Sequence, residues 1–193
     1  LAGILSVTQL DGSIAIVIDT KPGELTVARF QRHLDGGVAA AIICETGVPD
    51  IRAVVNSCRT PIVVFGSPKS RTRRKGLCYV MSDDTGIGIA GARHLFGIGG
   101  FRSFAFAATP GEGWSDMEER GFVSFLKRKR RPVRVCRGVT DAELDGFLAT
   151  LENPAAVMAA NDLRALEVAN ACRRLGIDIP RQLSLIGVND NEV

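Results

Sequence analysis

The sequence predicts an α/β fold built on parallel, doubly wound sheets. Two observations carry that prediction. Along residues 13–81, short apolar runs and helical patterns mostly alternate, as βαβ units require. Residues 155–188 then read strand, helix, strand within the length of one such unit. A right-handed crossover makes those last two strands parallel, so the polar clusters that follow them share one carboxyl edge. The clusters are Asn161–Asp162 and Asn189–Asp190–Asn191–Glu192. Open α/β sheets bind ligands at that edge.

Taken in order, Leu1–Leu10 carries apolar residues at 1, 4, 5, 7 and 10 and reads as the end of a helix. Ser13–Asp19 reads as a buried strand and Leu25–Leu34 as a helix that Gly36–Gly37 ends. A strand is expected over Val38–Cys44. A helix over Pro49–Cys58 follows, with proline in its first turn. Pro61–Phe65 and Leu77–Met81 are further strands, joined by a polar, basic loop over Ser67–Gly76. The acidic turn Ser82–Asp84 precedes a helix over Thr85–Phe96, ended by Gly97–Gly100. Phe101–Ala108 is a strand, Thr109–Gly113 a Pro/Gly loop, and Ser115–Leu126 a helix that Pro132 prevents from continuing. Val133–Cys136 is a short strand, and Asp141–Leu151 a helix with Thr140 as its candidate N-cap. Ala155–Ala160 and Leu183–Val188 are the last strands. The helix between them is stopped by Gly176, with Pro180 beyond.

Composition narrows the function classes. A hydrophobic share of 46% and a charged share of 23% fit an ordinary globular protein. No apolar run has the length of a membrane span, and no signal peptide is visible. A net charge of +3 is only mildly basic. The five cysteines are scattered with no CxxC spacing, which points to reduced thiols in a cytoplasmic protein rather than a zinc knuckle or disulfide framework. The two histidines, His33 and His94, fall on different helices, and no Ser/His/Asp arrangement or metal-ligand spacing emerges. No catalytic residue, metal or cofactor is therefore expected.

Three motifs have competing readings. Gly86, Gly88 and Gly91 match GxGxxG between a strand and a helix, the setting of a dinucleotide fingerprint. Asp83 and Asp84 stand where a pyrophosphate needs neutral or positive surroundings, and the next strand ends with no acid for a ribose, so close packing of the helix on the sheet is favoured. The basic runs Lys69–Lys75 and Lys127–Arg131 can meet nucleic-acid phosphates. A solvated loop and a helix C-terminus explain them more simply. Asp162, just past a buried strand, suits a ligand hydroxyl, or else Asn161 or Asp162 caps the next helix. The lone Trp114 suits stacking on a sugar ring or plain packing.

The segment AANDLRALEVANACRRLGIDIPRQLSLIGVND resembles the strand–Asn-Asp–helix segment of LacI/GalR-type regulator sensor domains, and SDDTGIGIAGARHLFGIGGFRSFAF resembles their crossing segment. Within that family GVNDNEV is most similar to xylose-operon regulators. The resemblance implies a type I periplasmic-binding-protein-like fold of two lobes, residues 1–82 and 83–193. It implies an incomplete chain, with a family strand before Leu1 and further family length after Val193. It also implies a sugar in the cleft between lobes, shifting DNA binding by a helix-turn-helix domain outside this chain, and a homodimer in the cytoplasm. No membrane contact is implied.

Carried over residue by residue, the resemblance assigns sugar contact to Asp162. Asn161, Asn189, Asp190, Glu118 and Trp114 complete the expected ligand wall. Two departures stand out. Asn189 takes the place of a family aspartate, and Glu118 stands where the family carries arginine, three residues before Gly121. The wall therefore suits a neutral sugar better than a sugar phosphate or acid, and the resemblance to xylose-operon regulators implies an aldopentose such as xylose. Two rival expectations are an exported sugar-binding protein of a transporter and a nucleotide-binding α/β enzyme.

Overall fold

The computed structural model describes residues 25–44, 51–66 and 71–190. The helix expected over Leu1–Leu10, the strand over Ser13–Asp19, Lys69 and Glu192 lie outside the described residues. The chain divides into two compact units. The first is Leu1–Phe65 with Ser70–Val80, and the second is Gly66–Lys69 with Met81–Val193.

In the first unit, helix α1 (Val27–Asp35) starts where Thr26 Oγ1 accepts from the Arg29 amide, two residues later than the apolar pattern suggests. Strands β1 (Ala41–Cys44), β2 (Ile62–Phe65) and β3 (Leu77–Val80) form a parallel sheet in that order, with Ala41 opposite Ile62 and Ile62 opposite Leu77. Strand β1 is shorter than the apolar run from Val38, because its ladder with β2 begins only at Ala41, whose amide donates to Pro61 O. Helix α2 (Ile51–Asn56) follows β1 in the chain. Its Val54 and Val55 pack with Phe30 of α1 onto Ile43, Ile62 and Val64, all buried.

The second unit contains helix α3 (Asp84–Ile98), strand β4 (Ser103–Ala107), helix α4 (Gly113–Arg128), strand β5 (Val133–Cys136), helix α5 (Asp141–Leu148), strand β6 (Ala155–Ala159), helix α6 (Asp162–Leu175) and strand β7 (Leu183–Ile186). The sheet runs β5-β4-β6-β7, parallel throughout. On one face Phe104, Phe106, Ala156 and Met158 meet Ala92 and Leu95 of α3 and Phe122 and Leu126 of α4. On the other, Ala105, Ala107, Val157 and Leu183 meet Leu144 and Leu148 of α5 and Val168, Ala171 and Cys172 of α6. This is the doubly wound arrangement the alternation predicts. Strand β6 is buried at every position, as burial on both faces requires.

Local signals set the helix ends. Asp83 accepts from the Gly86 amide at 2.9 Å and caps α3. Thr140 and Glu143 form a reciprocal capping box on α5, and Gly176 ends α6 in the left-handed region at φ 67°. Helix α5 stops at Leu148, three residues before the expected end.

Candidate functional site

Because the four strands of the second sheet are parallel, residues 108–110, 137–138, 160–162 and 187–190 leave it at one carboxyl edge. Four of the six expected wall residues, Asn161, Asp162, Asn189 and Asp190, lie within those segments, Trp114 stands in the first turn of α4, and Glu118 is one turn further along it. The edge is held by backbone hydrogen bonds across neighbouring strands. Ala160 N donates to Ala107 O at 3.0 Å, Ala108 N to Cys136 O at 2.9 Å, and Asp162 N to Val188 O at 3.1 Å. The last bond joins the two polar clusters directly, since Asn189 and Asp190 follow Val188.

Asn161 is the N-cap of α6. Its Oδ1 accepts from the Arg164 amide at 2.7 Å, so this side chain takes the capping role that the sequence left open between Asn161 and Asp162. The Asp162 carboxylate lies over Gly187, in contact with the place where a Cβ on that glycine would project. A Cβ at residue 187 would force the carboxylate to move. Asn161 and Asp162 are half-buried, while Asn189 and Asp190 are exposed. Both exposed residues have positive φ, 98° and 54°, a conformation asparagine and aspartate tolerate better than most residues.

Trp114 stands in the first turn of α4. Its ring packs against the apolar cluster that includes Ala108 and Ala160, and its Nε1 donates to Glu112 Oε2 at 3.1 Å. Packing therefore accounts for part of this residue. The preceding Thr109–Gly113 loop is pinned by the Thr109 amide, which donates to the fully buried Ser115 Oγ at 2.9 Å.

Glu118 differs most from its sequence reading. It is only 3% exposed, in the contact between α3 and α4. Burial, and next the carboxylate of Asp84, push its pKa up to about 8. Glu118 is thus a protonated acid at neutral pH and not the anion expected to repel acidic ligands. Asp84, also 3% exposed, accepts from Ser82 Oγ. Glu118 Oε2 and Thr109 Oγ1 are buried polar atoms with no hydrogen-bond partner.

The glycines of the GxGxxG match act in packing. A Cβ on Gly88 would strike Glu118 O, and one on Gly121 would strike Thr85 O, so α3 and α4 touch backbone to backbone. Gly91 instead faces Met158 on the sheet. The expected helix–sheet role holds for Gly91, whereas Gly88 serves helix–helix contact and Gly86 leaves room for the Asp83 carboxylate. The N-terminus of α3, where a pyrophosphate would sit, is occupied by the Asp83 cap.

Sequence reading missed Arg164. This guanidinium is 6% exposed in the first turn of α6, donates to Gly138 O at 2.6 Å, and pairs with Glu167 at 2.5 Å. It ties α6 to the segment after β5. Its only advance signal is an arginine placed next to two polar edge residues. Among the described residues no group of three or more His, Cys, Asp or Glu side chains is placed to hold a metal.

Comparison with known proteins agrees with this architecture. Residues 92–193 match the family model of the periplasmic binding protein-like domain. The xylose operon regulatory protein of Escherichia coli K12 is 23% identical over 164 residues, covering 79% of this chain and 42% of that protein. That of Haemophilus influenzae is 22% identical over 143 residues, covering 68% and 37%. The chain thus spans less than half the length of these curated relatives. Among solved structures, a LacI transcriptional regulator from a Rhodococcus species superposes with a TM-score of 0.78 at 22% identity, over 99% of this chain and 72% of that one. A xylose-binding transcription activator superposes with a TM-score of 0.75 at 20% identity, over 100% and 50%. The type I periplasmic-binding-protein-like fold that the resemblance implied is therefore the fold of this chain.

Proposed function

The chain belongs to the periplasmic binding protein-like family, and from that premise we propose that it is the effector-sensing domain of a transcription regulator, with a small neutral sugar as effector. The observation that carries the reading is the joined polar edge of the second unit. There Asp162 lies over Gly187 and its amide bonds Val188 O, which brings Asn161, Asp162, Asn189 and Asp190 to one edge. Amides and carboxylates accept and donate in the pattern that sugar hydroxyls need. The relatives named as xylose operon regulators support an aldopentose such as xylose. With Glu118 protonated, Asp162 and Asp190 supply the negative charge that disfavours an anionic ligand here.

DNA contact belongs to a domain outside residues 1–193, and a homodimer in the cytoplasm completes the proposal. Among the described residues no helix is long and apolar enough to cross a membrane. The lobes would be residues 1–82 and 83–193, and a sugar favouring one arrangement of the protein would shift its DNA affinity by that preference.

The test is thermal unfolding of the chain with a panel of neutral pentoses and hexoses, repeated on Asp162→Ala. A sugar at 100 times its dissociation constant stabilises by about 2.7 kcal/mol. Asp162→Ala is expected to weaken that sugar ~10–100-fold, because hydroxyls lose a charged acceptor. The reading fails if no neutral sugar stabilises the chain, or if one stabilises the variant equally.

A further inference from the structure

The amino edge of the second sheet gathers cations that the sugar reading does not use. The segments that enter its parallel strands are residues 129–132, 99–102, 149–154 and 176–182, in the order β5-β4-β6-β7. They lie at the end of the sheet opposite the polar edge. The first two are neighbours, and both are basic. From Arg120 to Thr140 the chain has eight Lys and Arg and no Asp or Glu. Arg131 Nη2 donates to Phe101 O, which brings Arg102 beside the run Lys127–Arg131. The acids on the other two segments are Glu152 and Asp178, and Asp178 pairs with Arg181 at 3.7 Å.

The five basic residues of that run have different roles. Lys129 Nζ lies 5.7 Å from the ring centre of Phe96 and 5.9 Å from that of Phe125, and the Arg131 guanidinium lies 5.3 Å over Phe104. These two cations fasten the end of α4 to the apolar layer beneath it. Lys127, Arg128 and Arg130 are exposed. Their side chains, like that of Arg102, have no hydrogen-bond or ion-pair partner among the described residues. A helix C-terminus suits Lys127 and Arg128. It does not account for Arg102, on another segment, or for Arg130, beyond the helix. Arg130 takes φ 56° where α4 ends. Its amide donates to Lys127 O at 2.9 Å, and the Arg131 amide donates to Leu126 O at 3.0 Å. That pattern closes a helix through a left-handed residue, a place glycine fills by preference. A long cation is held there against the preference of the backbone, the kind of strain that marks functional positions.

We propose that this edge holds the phosphate backbone of duplex DNA through Arg102, Lys127, Arg128 and Arg130, as a contact that reads no sequence. The DNA contact assigned above to an outside domain selects the site, and this edge adds charge-driven affinity for the duplex. Cations fanned out from a helix end and an adjoining turn meet a row of phosphates without needing a shaped pocket. A protein partner would instead ask for an apolar centre. The exposed apolar side chains here are separated, Ile98 ending α3 and Ile179 preceding β7.

The experiment measures binding of the intact chain to a fluorescent duplex of arbitrary sequence by anisotropy, across a series of salt concentrations. No sugar is present, so the outcome is independent of the sugar reading. Four phosphate contacts predict that log affinity falls against log salt with a slope of about −3 to −4. Lys127→Gln combined with Arg128→Gln is expected to reduce that slope by about 2 and to weaken binding at low salt about tenfold or more. Arg102→Gln and Arg130→Asn are each expected to reduce it by about 1, asparagine being tolerant of the left-handed backbone. Arg52→Gln combined with Arg120→Gln makes the same change in net charge away from this edge and is expected to bind like the parent. All of these side chains are exposed, so unchanged far-UV circular dichroism certifies the variants. The proposal is overturned if the duplex does not bind at low salt, or if the slope is the same in the parent and the edge variants. Equal weakening in the Arg52/Arg120 control overturns it in favour of net charge alone. A polyglutamate peptide that binds more tightly than the duplex, and is lost in the edge variants, overturns it in favour of an acidic protein partner.

Discussion

The two sheets of this protein are built from the same kind of strand and finished differently. In the second unit helices cover both faces, and Phe106, Val157 and Met158 are at most 1% exposed. In the first unit the described helices α1 and α2 cover the face of Ile43, Ile62 and Val64. The opposite face carries Ile42, Phe65 and Val80, each about half exposed at 54, 55 and 50%. Parallel sheets owe their stability to cover on both faces. The difference shows that an apolar strand run is a statement about the strand and not about what lies on it.

The largest effect expected from this contrast is on stability. Phe106→Ala removes a fully buried ring and is expected to cost ~3–5 kcal/mol, with partial cavity collapse setting the value. Phe65→Ala, at a half-exposed ring on the first sheet, is expected to cost about 1 kcal/mol or less. Chemical denaturation of both variants measures the contrast. Equal costs would show that the Ile42–Phe65–Val80 face is covered in solution.

A second effect separates the units by pH. Glu118 keeps its proton up to about 8 in the folded protein, against 4.5 as its ordinary value. Between those values the folded state binds a proton that the unfolded state has released, so stability falls as pH rises. The contribution is fully present below about 4.5 and lost by about 8, with a slope of at most about 1.4 kcal/mol per pH unit. Glu118→Gln is expected to flatten this dependence and to be the more stable form at pH 9 by ~1–3 kcal/mol. Denaturant midpoints across pH 5–9 that fall equally in both proteins would assign the pH dependence to other groups. Asp84→Asn sharpens the test, since removing the neighbouring carboxylate lowers the Glu118 pKa and narrows the window.

The smallest effect is local. Thr140→Ala removes one half of the α5 capping box and is expected to cost about 1 kcal/mol. Thr26→Ala, the cap of α1 in the first unit, is expected to cost about the same. Caps act within a few residues and are indifferent to how the sheet beneath them is covered. A large difference between these two variants, read by thermal unfolding, would tie the caps to the packing contrast.

Much of the architecture could be read before any coordinates. The alternation of apolar runs and helical patterns specifies the order of elements, and caps such as Thr140 with Glu143, or the stop at Gly176, operate within four residues of chain. The polar ends of β6 and β7 at one edge follow from crossover handedness alone. What those residues do there depends on partners from distant segments. Asn161 rather than Asp162 caps α6, Asp162 crosses to Gly187, and Gly88 of the fingerprint serves contact between α3 and α4. The charge of Glu118 is decided the same way. A carboxyl group's charge follows from how much water reaches it and which charges stand nearby, and both depend on Asp84 and the backbone of a helix that begins about thirty residues earlier in the chain. Periodicity and caps are properties of neighbours in sequence, which the sequence states directly, whereas burial and ionisation are properties of neighbours in space, which the packed structure decides.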